Sequence, residues 1–235
     1  MTYVEHLVAS PLISCTWEQL IDAPHEQRIV PDACVDLIWS GRRLSVAGPD
    51  TRARVATLVP GTRIVGVRLR PGVAGAVLGR PAGEVCDEAP DARDVLGRDA
   101  TEALQAELEA GGDPHAVLRR ALELRPRRAP DPLVRAAIAA LDRPGARVAE
   151  VADALGLSAR QLQRRVADAV GYGPKTLARV LRFRRLQALT ESGRTLVELA
   201  LEAGYADQTH MTAEVTRLAG LSPVRFLKDR TPTAA

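Results

Sequence analysis

The sequence lacks the features that assign a chain to a membrane, a secretion route or a disulfide scaffold. No apolar run approaches the roughly 18–20 residues that a membrane-spanning helix needs, and the opening MTYVEHLVAS has no basic-then-apolar signal pattern. Cysteine is scarce, because the chain holds only three, Cys15, Cys34 and Cys86. Their wide spacing and odd number argue against a disulfide framework and a four-cysteine zinc site. These absences predict a cytoplasmic protein with no membrane partner.

Sequence motifs of catalysis are missing as well. The chain contains no H-E-x-x-H pair, no glycine-rich phosphate loop and no G-x-S-x-G elbow. We therefore expect no enzyme activity, no cofactor and no metal ion. The 235 residues are 46% hydrophobic and 26% charged, which is typical of a globular protein and excludes wholesale disorder.

Lysine is nearly absent, since 2 lysines stand against 30 arginines. Such a bias is what a GC-rich coding sequence produces, so the position of the charge is more informative than its net value of +3. Residues 1–130 carry a net charge of −2 and residues 131–235 carry +5. Within Arg160–Arg185, eight basic residues stand against one acid, Asp168. A local basic block of this kind indicates a nucleic-acid contact.

A proline-rich stretch divides the chain. Three prolines within Arg125–Pro132 predict a linker over 126–132, between an N-terminal unit at 1–125 and a C-terminal unit at 133–230. Asp131 followed by Pro132 is a favourable helix start, because the aspartate caps free amides and the proline needs no hydrogen bond.

The N-terminal unit changes from strands to helices along its length. Short β-branched stretches separated by glycine and proline predict strands over 34–39, 44–47, 55–59 and 62–70. The following residues have helical spacing, with a capping box at Asp99 and Glu102 and a helix start at Asp113-Pro114. We therefore predict an α+β N-terminal module, a small β-sheet followed by helices, ahead of an all-α C-terminal domain.

The C-terminal unit contains an internal repeat. At an offset of 48 residues, Val148–Ala152 matches Leu196–Ala200 and Gly156 matches Gly204, and a further match at an offset of 49 extends to Pro174. Each copy has an amphipathic helix, a glycine turn, a capping residue and a second amphipathic helix. This order predicts two helix-turn-helix units, whose second helices enter the DNA major groove.

Capping residues define where the helices of the two units begin. Ser158 with Gln161 forms a Ser-x-x-Gln capping box in the first unit, and Thr195 with Glu198 and then Asp207 cap the two helices of the second. The recognition helices are predicted at about 159–169 and 208–219.

Helical geometry separates buried from outward positions on these recognition helices. Leu162 and Val166 of the first, and Met211 and Val215 of the second, have the spacing of core residues. Arginine and glutamine are suited to guanine and adenine edges in the major groove. The candidate base contacts are Arg160, Gln161, Gln163, Arg164, Gln208, Thr209 and His210.

A single helix over Thr176–Glu191 is predicted to join the two units and to hold the recognition helices about 34 Å apart, one DNA turn. Basic residues on and around this helix are candidates for phosphate contacts, which set register without reading sequence. The candidate phosphate contacts are Arg165, Lys175, Arg179, Arg182 and Arg185.

The segments VADALGLSARQLQRRV, LRFRRLQAL and LALEAGYADQTHMTAEV, followed by GLSPVRF, resemble the DNA-binding domain of AraC/XylS-type regulators. The resemblance implies seven helices, with two helix-turn-helix units joined by a long helix. It places base contacts on Arg160, Gln163 and Arg164, and on Thr209 and His210. Many family members have arginine where this chain has Ala213, so the second unit is expected to read bases weakly or to contact only the DNA backbone.

The segments PDACVDLIW, AGPDTRA and GVRLRPGVAGAVLG resemble an N-terminal module found in a subset of these regulators. In the wider family such a module senses a small molecule or mediates dimerisation. The resemblance thus implies double-stranded DNA as a partner, with a small-molecule effector and RNA polymerase as further candidates and a monomer or homodimer as the assembly.

Two carboxylates near a strand start are candidates for a ligand site in this module. Asp32 and Asp36 have the even spacing that places both on one strand face, which suits a polar ligand or a metal. Trp39 and Arg68, which alternates with Leu69 and could face a pocket, are further candidates. The favoured alternative is a turn carboxylate, a hydrogen-bonded Asp36, a core Trp39 and a solvent-facing Arg68.

Several residues and the chain as a whole have competing interpretations. Gln161 also fits a purely capping role, Arg165 a solvated surface charge, and His210 a packing or capping role. The chain as a whole also fits a DNA-targeted enzyme of the alkyl-transfer repair type, which needs an activated cysteine, or an architectural binder without sequence preference.

Overall fold

A computed structural model of the protein describes residues 2–125, 128–189 and 194–228. The N-terminal module contains an antiparallel five-stranded sheet in the order β1-β2-β7-β4-β5 and a two-stranded sheet that pairs β3 with β6. The strands are β1 (Thr2–Leu7), β2 (Ile13–Leu20), β3 (His25–Ile29), β4 (Val35–Trp39), β5 (Leu44–Ala47), β6 (Arg54–Leu58) and β7 (Arg63–Leu69).

The strands predicted over 34–39, 44–47, 55–59 and 62–70 are confirmed as β4 to β7, with ends within one residue. The first three strands were not predicted. Apolar and polar residues do not alternate between the buried and exposed faces of these strands. Gln19 and Gln27 are buried, whereas Val4 and Leu20 are exposed. The two glutamines can be buried because their side chains hydrogen-bond to each other, from one sheet to the other, at 2.8 Å.

Four helices and a short 3-10 helix (Ala82–Val85) follow the strands of the N-terminal module. The helices are α1 (Ala74–Leu78), α2 (Ala92–Leu96), α3 (Arg98–Glu109) and α4 (Pro114–Glu123). The predicted start of α4 is confirmed, because the Asp113 side chain accepts a hydrogen bond from the Ala116 amide.

The predicted capping box of α3 is wrong. Gly97, at φ 90°, occupies the N-cap position, and no side chain caps the helix there. Since α2 ends only two residues before α3 begins, Asp99 already lies inside the first turn. The negative charge of the Asp99 carboxylate still interacts favourably with the positive N-terminal end of the helix dipole.

Seven helices lie between Pro132 and Lys228 in the described part of the C-terminal domain. They are α5 (Pro132–Leu141), α6 (Val148–Ala154), α7 (Ala159–Val170), α8 (Pro174–Leu189), α9 (Leu196–Ala203), α10 (Gln208–Ala219) and α11 (Pro223–Lys228). The predicted joining helix is confirmed as α8, which starts two residues earlier than expected; Glu191 lies outside the described residues, as do Pro126 and Arg127 of the predicted linker.

Two hydrophobic cores hold the fold together. One fills the space between the five-stranded sheet and helices α1 to α4. The other lies among the seven C-terminal helices, and Val30 and Ala33 of the N-terminal module pack into it. The second core therefore joins the module to the DNA-binding domain. Among the described helices, none combines the length and apolarity needed to cross a membrane.

Candidate nucleic-acid interface

The first helix-turn-helix unit is formed by α6 and α7. Gly156 adopts the left-handed conformation at φ +66°, which allows the chain to reverse between the helices. The Gln161 amide donates to the Ser158 hydroxyl at 3.2 Å, and the Ser158 amide donates to the Gln161 side-chain oxygen at 2.8 Å. The predicted capping box is confirmed, and it orients the first turn of α7.

The second unit repeats this construction in α9 and α10. Thr195 and Glu198 form a reciprocal capping box at the start of α9, and Gly204 is left-handed at φ +90°. The Asp207 carboxylate accepts a hydrogen bond from the His210 amide at 2.7 Å, which caps α10. Both units thus have capped second helices on the same local plan.

The outward face of α7 carries two exposed basic side chains. Leu162 and Val166 are buried in the core, as their spacing predicts. Arg160, Gln163 and Arg164 are exposed on the other side of the helix. Within the described ranges, neither of these arginines has an ion-pair partner. Two guanidinium groups are therefore available to an external acceptor.

The outward face of α10 is polar but carries less charge. Gln208 and Thr209 are exposed, and so is Ala213, whose methyl group offers no hydrogen bond. His210 is half-buried, because its Nδ1 accepts the Ala206 amide at 3.2 Å and its ring packs edge-to-face on another aromatic ring. The packing role considered for His210 is observed, and its base contact stays a prediction.

Glu214 of α10 forms ion pairs with two of the arginines predicted to contact phosphate. It lies 2.9 Å from Arg182 and 3.4 Å from Arg179. Arg182 also packs over the Tyr205 ring at 5.3 Å from its centroid, and only 17% of its side chain is exposed. These contacts tie α8 to α10.

Two further candidate phosphate contacts are also held within the domain. Arg165 pairs with Asp131, the N-cap of α5, at 2.5 Å. Arg185 donates to the Ala203 carbonyl at 3.2 Å and pairs with Asp142 at 2.9 Å. Lys175 differs from these arginines, since it is exposed and has no ion-pair partner in the part of the chain that the structure describes.

A cavity of about 220 Å³ lies between the two sheets of the N-terminal module. At its wall, Arg68 donates two hydrogen bonds of 3.1 Å to the two oxygens of Asp36 and lies 3.6 Å from Asp32. Asp36 also accepts the Trp17 indole N–H at 3.1 Å, and Glu5 lies 3.3 Å from Arg68. The two predicted carboxylates therefore meet one buried arginine.

The solvent-facing position expected for Arg68 is wrong, because only 5% of the residue is exposed. Burial opposes the charge of the guanidinium, but the neighbouring Asp36 and Asp32 outweigh that effect and raise the pKa of Arg68. Trp39 does not line the cavity and packs in the core of the module, as its apolar position predicts.

Two family models match separate parts of the chain. Residues 135–229 match a family model described as a helix-turn-helix domain. Residues 6–91 match a model described as a domain of unknown function (DUF6597). Residues 135–229 form an AraC-type helix-turn-helix domain. A chain with such a domain is a DNA-binding transcription regulator, and the matched residues fall on the seven-helix unit.

The chain is similar to several solved structures. One is the C-terminal domain of AraT, a response regulator from Geobacillus stearothermophilus, at 21% identity and a TM-score of 0.40 over 45% of this chain and 89% of that one. Another is ToxT from Vibrio cholerae O395, at 12% identity and 0.47 over 93% and 98%. A third is unsaturated fatty acid bound ToxT from Vibrio cholerae strain SCE256, at 10% identity and 0.41 over 95% and 96%. No curated protein matches the chain significantly.

The three cysteines lie in surroundings that disfavour the thiolate form. Burial raises the pKa of Cys15 and of Cys86 to about 11, and it raises that of Cys34 well above its usual value. The thiols are therefore protonated near neutral pH, whereas an alkyl-accepting cysteine reacts as thiolate. The alkyl-transfer alternative gains no support from these side chains.

Several residues that shape the cavity were missed by the sequence patterns. Tyr3, Gln19 and Gln27 line it from the three strands that were not predicted, and Asp50 and Arg54 line it from around β6. The signal that could have found them is the run of polar residues inside otherwise β-branched segments, which indicates a second, partly polar face.

Proposed function

We propose that this regulator binds a specific DNA sequence by inserting α7 and α10 into the major groove, and that its N-terminal module modulates the contact. The observation that carries the proposal is the free, outward pair Arg160 and Arg164 on a helix whose core face is fully buried. A guanidinium that no carboxylate neutralises can bridge guanine O6 and N7. Gln163 lies on the same exposed face and adds a side chain suited to adenine.

The two recognition helices are proposed to contribute unequally. Helix α10 offers Gln208 and Thr209 near its capped start, while Ala213 and the packed His210 offer little to a base edge. We expect α7 to supply most of the sequence preference and α10 to contribute mainly to positioning. Gln161 is proposed to act first as a cap, because its side-chain oxygen is already bound.

Phosphate contacts are proposed for the basic side chains that are least engaged within the domain. Lys175 is exposed, and Arg179 keeps 39% of its side chain accessible beside Glu214. Arg165, Arg182 and Arg185 hold helices together through Asp131, Glu214 and Asp142, so we propose that they position the interface.

The N-terminal module is proposed to modulate DNA binding because it contacts the carboxyl ends of both recognition helices. At α10, the Ala53 amide donates to the Leu218 carbonyl at 2.6 Å, and Arg28 donates to the Ala219 carbonyl at 3.1 Å. The last carbonyls of a helix lack partners within the helix, so these bonds satisfy groups that would otherwise need water.

At α7 the contact is a close approach of backbones. A side chain on Gly75 of α1 would place its Cβ 2.4 Å from the Asp168 carbonyl oxygen. A Cβ on Gly171, the residue that ends α7, would lie 2.7 Å from Pro49 and 3.2 Å from the Ala82 carbonyl oxygen. The module and α7 therefore fit together without space for an intervening side chain. A displacement of the module is consequently expected to displace α7 as well.

The cavity is placed to influence these contacts. Ile29 and Val30 directly follow Arg28 and line the cavity, and Arg54 directly follows Ala53 and lines it as well. A ligand that shifts either segment would alter the hydrogen bonds at the end of α10. We propose the cavity, with Asp32, Asp36 and Arg68 on its wall, as the effector site.

The charge and size of the cavity indicate what kind of molecule would fit. Both lining arginines are already paired, Arg68 with Asp36 and Arg54 with Asp50, and Asp32 and Glu5 add further carboxylates beside Arg68. An excess of carboxylates favours a ligand that carries a positive charge or N–H donors. At about 220 Å³ the cavity is smaller than the roughly 300–1,000 Å³ that drug-sized ligands occupy, so the ligand is expected to be small.

The test compares the affinity of the full chain for a duplex selected from random sequences with its affinity for an unselected duplex of equal length, at one salt concentration. A sequence-specific regulator should prefer the selected duplex by about 10³-fold or more. Equal affinities would instead identify an architectural binder and overturn the proposal.

A further inference from the structure

Two of the four histidines in the chain meet on the face of the N-terminal sheet that α4 covers, together with a glutamate. His6 lies on β1, Glu18 on the neighbouring strand β2, and His115 in the first turn of α4. In the antiparallel register, Val4 is opposite Glu18 and His6 is opposite Thr16. His6 and Glu18 are therefore diagonal neighbours on one sheet face, and α4 brings His115 over them.

The ligand atoms of the three side chains lie within 4.8 Å of one another. The His115 Nε2 is 3.6 Å from a Glu18 oxygen, and the two imidazole rings pack edge-to-face at 5.6 Å between centroids. In a tetrahedral zinc site with bonds of about 2.0–2.1 Å, ligand atoms are separated by about 3.3 Å. Small side-chain rotations would bring the three groups to that separation.

The surroundings of the cluster are compatible with a bound cation. Arg63 donates two hydrogen bonds to the Oε2 atom of Glu18, at 2.9 and 2.5 Å, and these bonds lower the pKa of that carboxyl. A ligating carboxylate is commonly held by such hydrogen bonds. The Nδ1 atom of His115 is buried, and the described residues offer it no hydrogen-bond partner.

We propose that His6, Glu18 and His115 form a binding site for one divalent transition-metal ion of the zinc type. Two imidazoles and one carboxylate are a donor set that zinc accepts, with water in the fourth position, and that magnesium and calcium do not prefer. The ion would cross-link the first strand pair to α4, three elements that are separate in sequence. The site is independent of the DNA interface and of the cavity between the sheets.

The test is titration of the metal-free full chain with ZnCl₂ by calorimetry, and with CoCl₂ by visible absorption. We expect one zinc ion per chain, tetrahedral cobalt bands without a thiolate charge-transfer band, and no binding of MgCl₂. Because even hydrogen-bond partners of metal ligands are worth about 10–100-fold in metal affinity, His6→Ala and His115→Ala should each weaken zinc binding by about 100-fold or more.

The matched control is His25→Ala, which removes a histidine of β3 outside the cluster and should leave zinc affinity unchanged. His6 is exposed, so His6→Ala is expected to fold even if His115→Ala does not. Zinc affinity that is the same in the wild type and in His6→Ala would overturn the proposal. Absence of any zinc binding by the wild type would also overturn it, leaving the cluster as a contact between His115 and Glu18.

Discussion

The backbone amide of Ala53 in the N-terminal module donates a 2.6 Å hydrogen bond to the carbonyl of Leu218 at the end of α10. Helix α10 is thus capped by a residue that lies 165 positions earlier in the chain. Arg28 makes a parallel contact to the next carbonyl, that of Ala219. The end of α10, which we propose to contact DNA, is therefore stabilised by the module that carries the cavity.

Arg28→Ala removes the hydrogen bond from the Arg28 guanidinium to the Ala219 carbonyl. The variant should lower the free energy of unfolding by about 1–2 kcal/mol, because a partly buried carbonyl loses a charged donor. Urea denaturation followed by circular dichroism measures the change. Arg52→Ala, an exposed arginine in the turn before β6, is the matched control and should change stability by less than about 0.5 kcal/mol. Equal losses in the two variants would show that the cap at Ala219 has no energetic role.

Lys175→Ala should flatten the salt dependence of DNA binding. A side chain that neutralises one phosphate contributes about 0.9 to the slope of log affinity against log salt, so the slope should decrease by about one unit. Arg182→Ala should behave differently, because Arg182 pairs with Glu214 and its loss is expected to reduce stability rather than the slope. Fluorescence anisotropy across a salt series separates the two effects. A wild-type slope for Lys175→Ala would place this side chain away from the phosphates.

Asp50 should make stability dependent on pH. Burial raises its pKa from 3.8 to about 6, against the opposing charge of Arg54. The folded state thus holds the proton more tightly than the unfolded chain, so this contribution to stability is present below pH about 4 and is lost as the pH rises through about 6. Asp50→Asn should therefore gain stability relative to the wild type between these values, by at most about 3 kcal/mol.

Urea denaturation at a series of pH values measures this difference. Asp153→Asn, which removes an exposed carboxylate of α6, is the control and should follow the wild-type profile. A constant difference between Asp50→Asn and the wild type at every pH would contradict the shifted pKa.

Local signals allowed the DNA-binding domain to be predicted almost completely from the sequence. Capping residues such as Ser158 and Asp207 act on amides three residues away, so their effect is visible in a short window of sequence. The burial of Leu162 and Met211 follows from helical periodicity alone. The duplication then reinforced each of these signals.

Contacts between residues far apart in the sequence could not be predicted from local sequence patterns. Whether Arg68 faces solvent or the interior depends on the position of Asp36 across the sheet, and its neighbours in sequence hold no information about that partner. The same holds for Arg182 and Glu214, which belong to different helices. His6, Glu18 and His115 come together only through strand pairing and helix packing, so no spacing rule reveals them.

The most direct measurement is the DNA sequence preference of Arg164→Ala, obtained by selection from random duplexes and compared with that of the wild type and of Arg42→Ala. Arg42 is an exposed arginine of the N-terminal module and serves as a control for the loss of one charge. Arg164→Ala should cost about 1–3 kcal/mol at the selected site and relax the preference at one base pair, while Arg42→Ala keeps the wild-type preference. If Arg164→Ala lowered affinity equally for every sequence, or left the selected site unchanged, α7 would not be the helix that reads the bases.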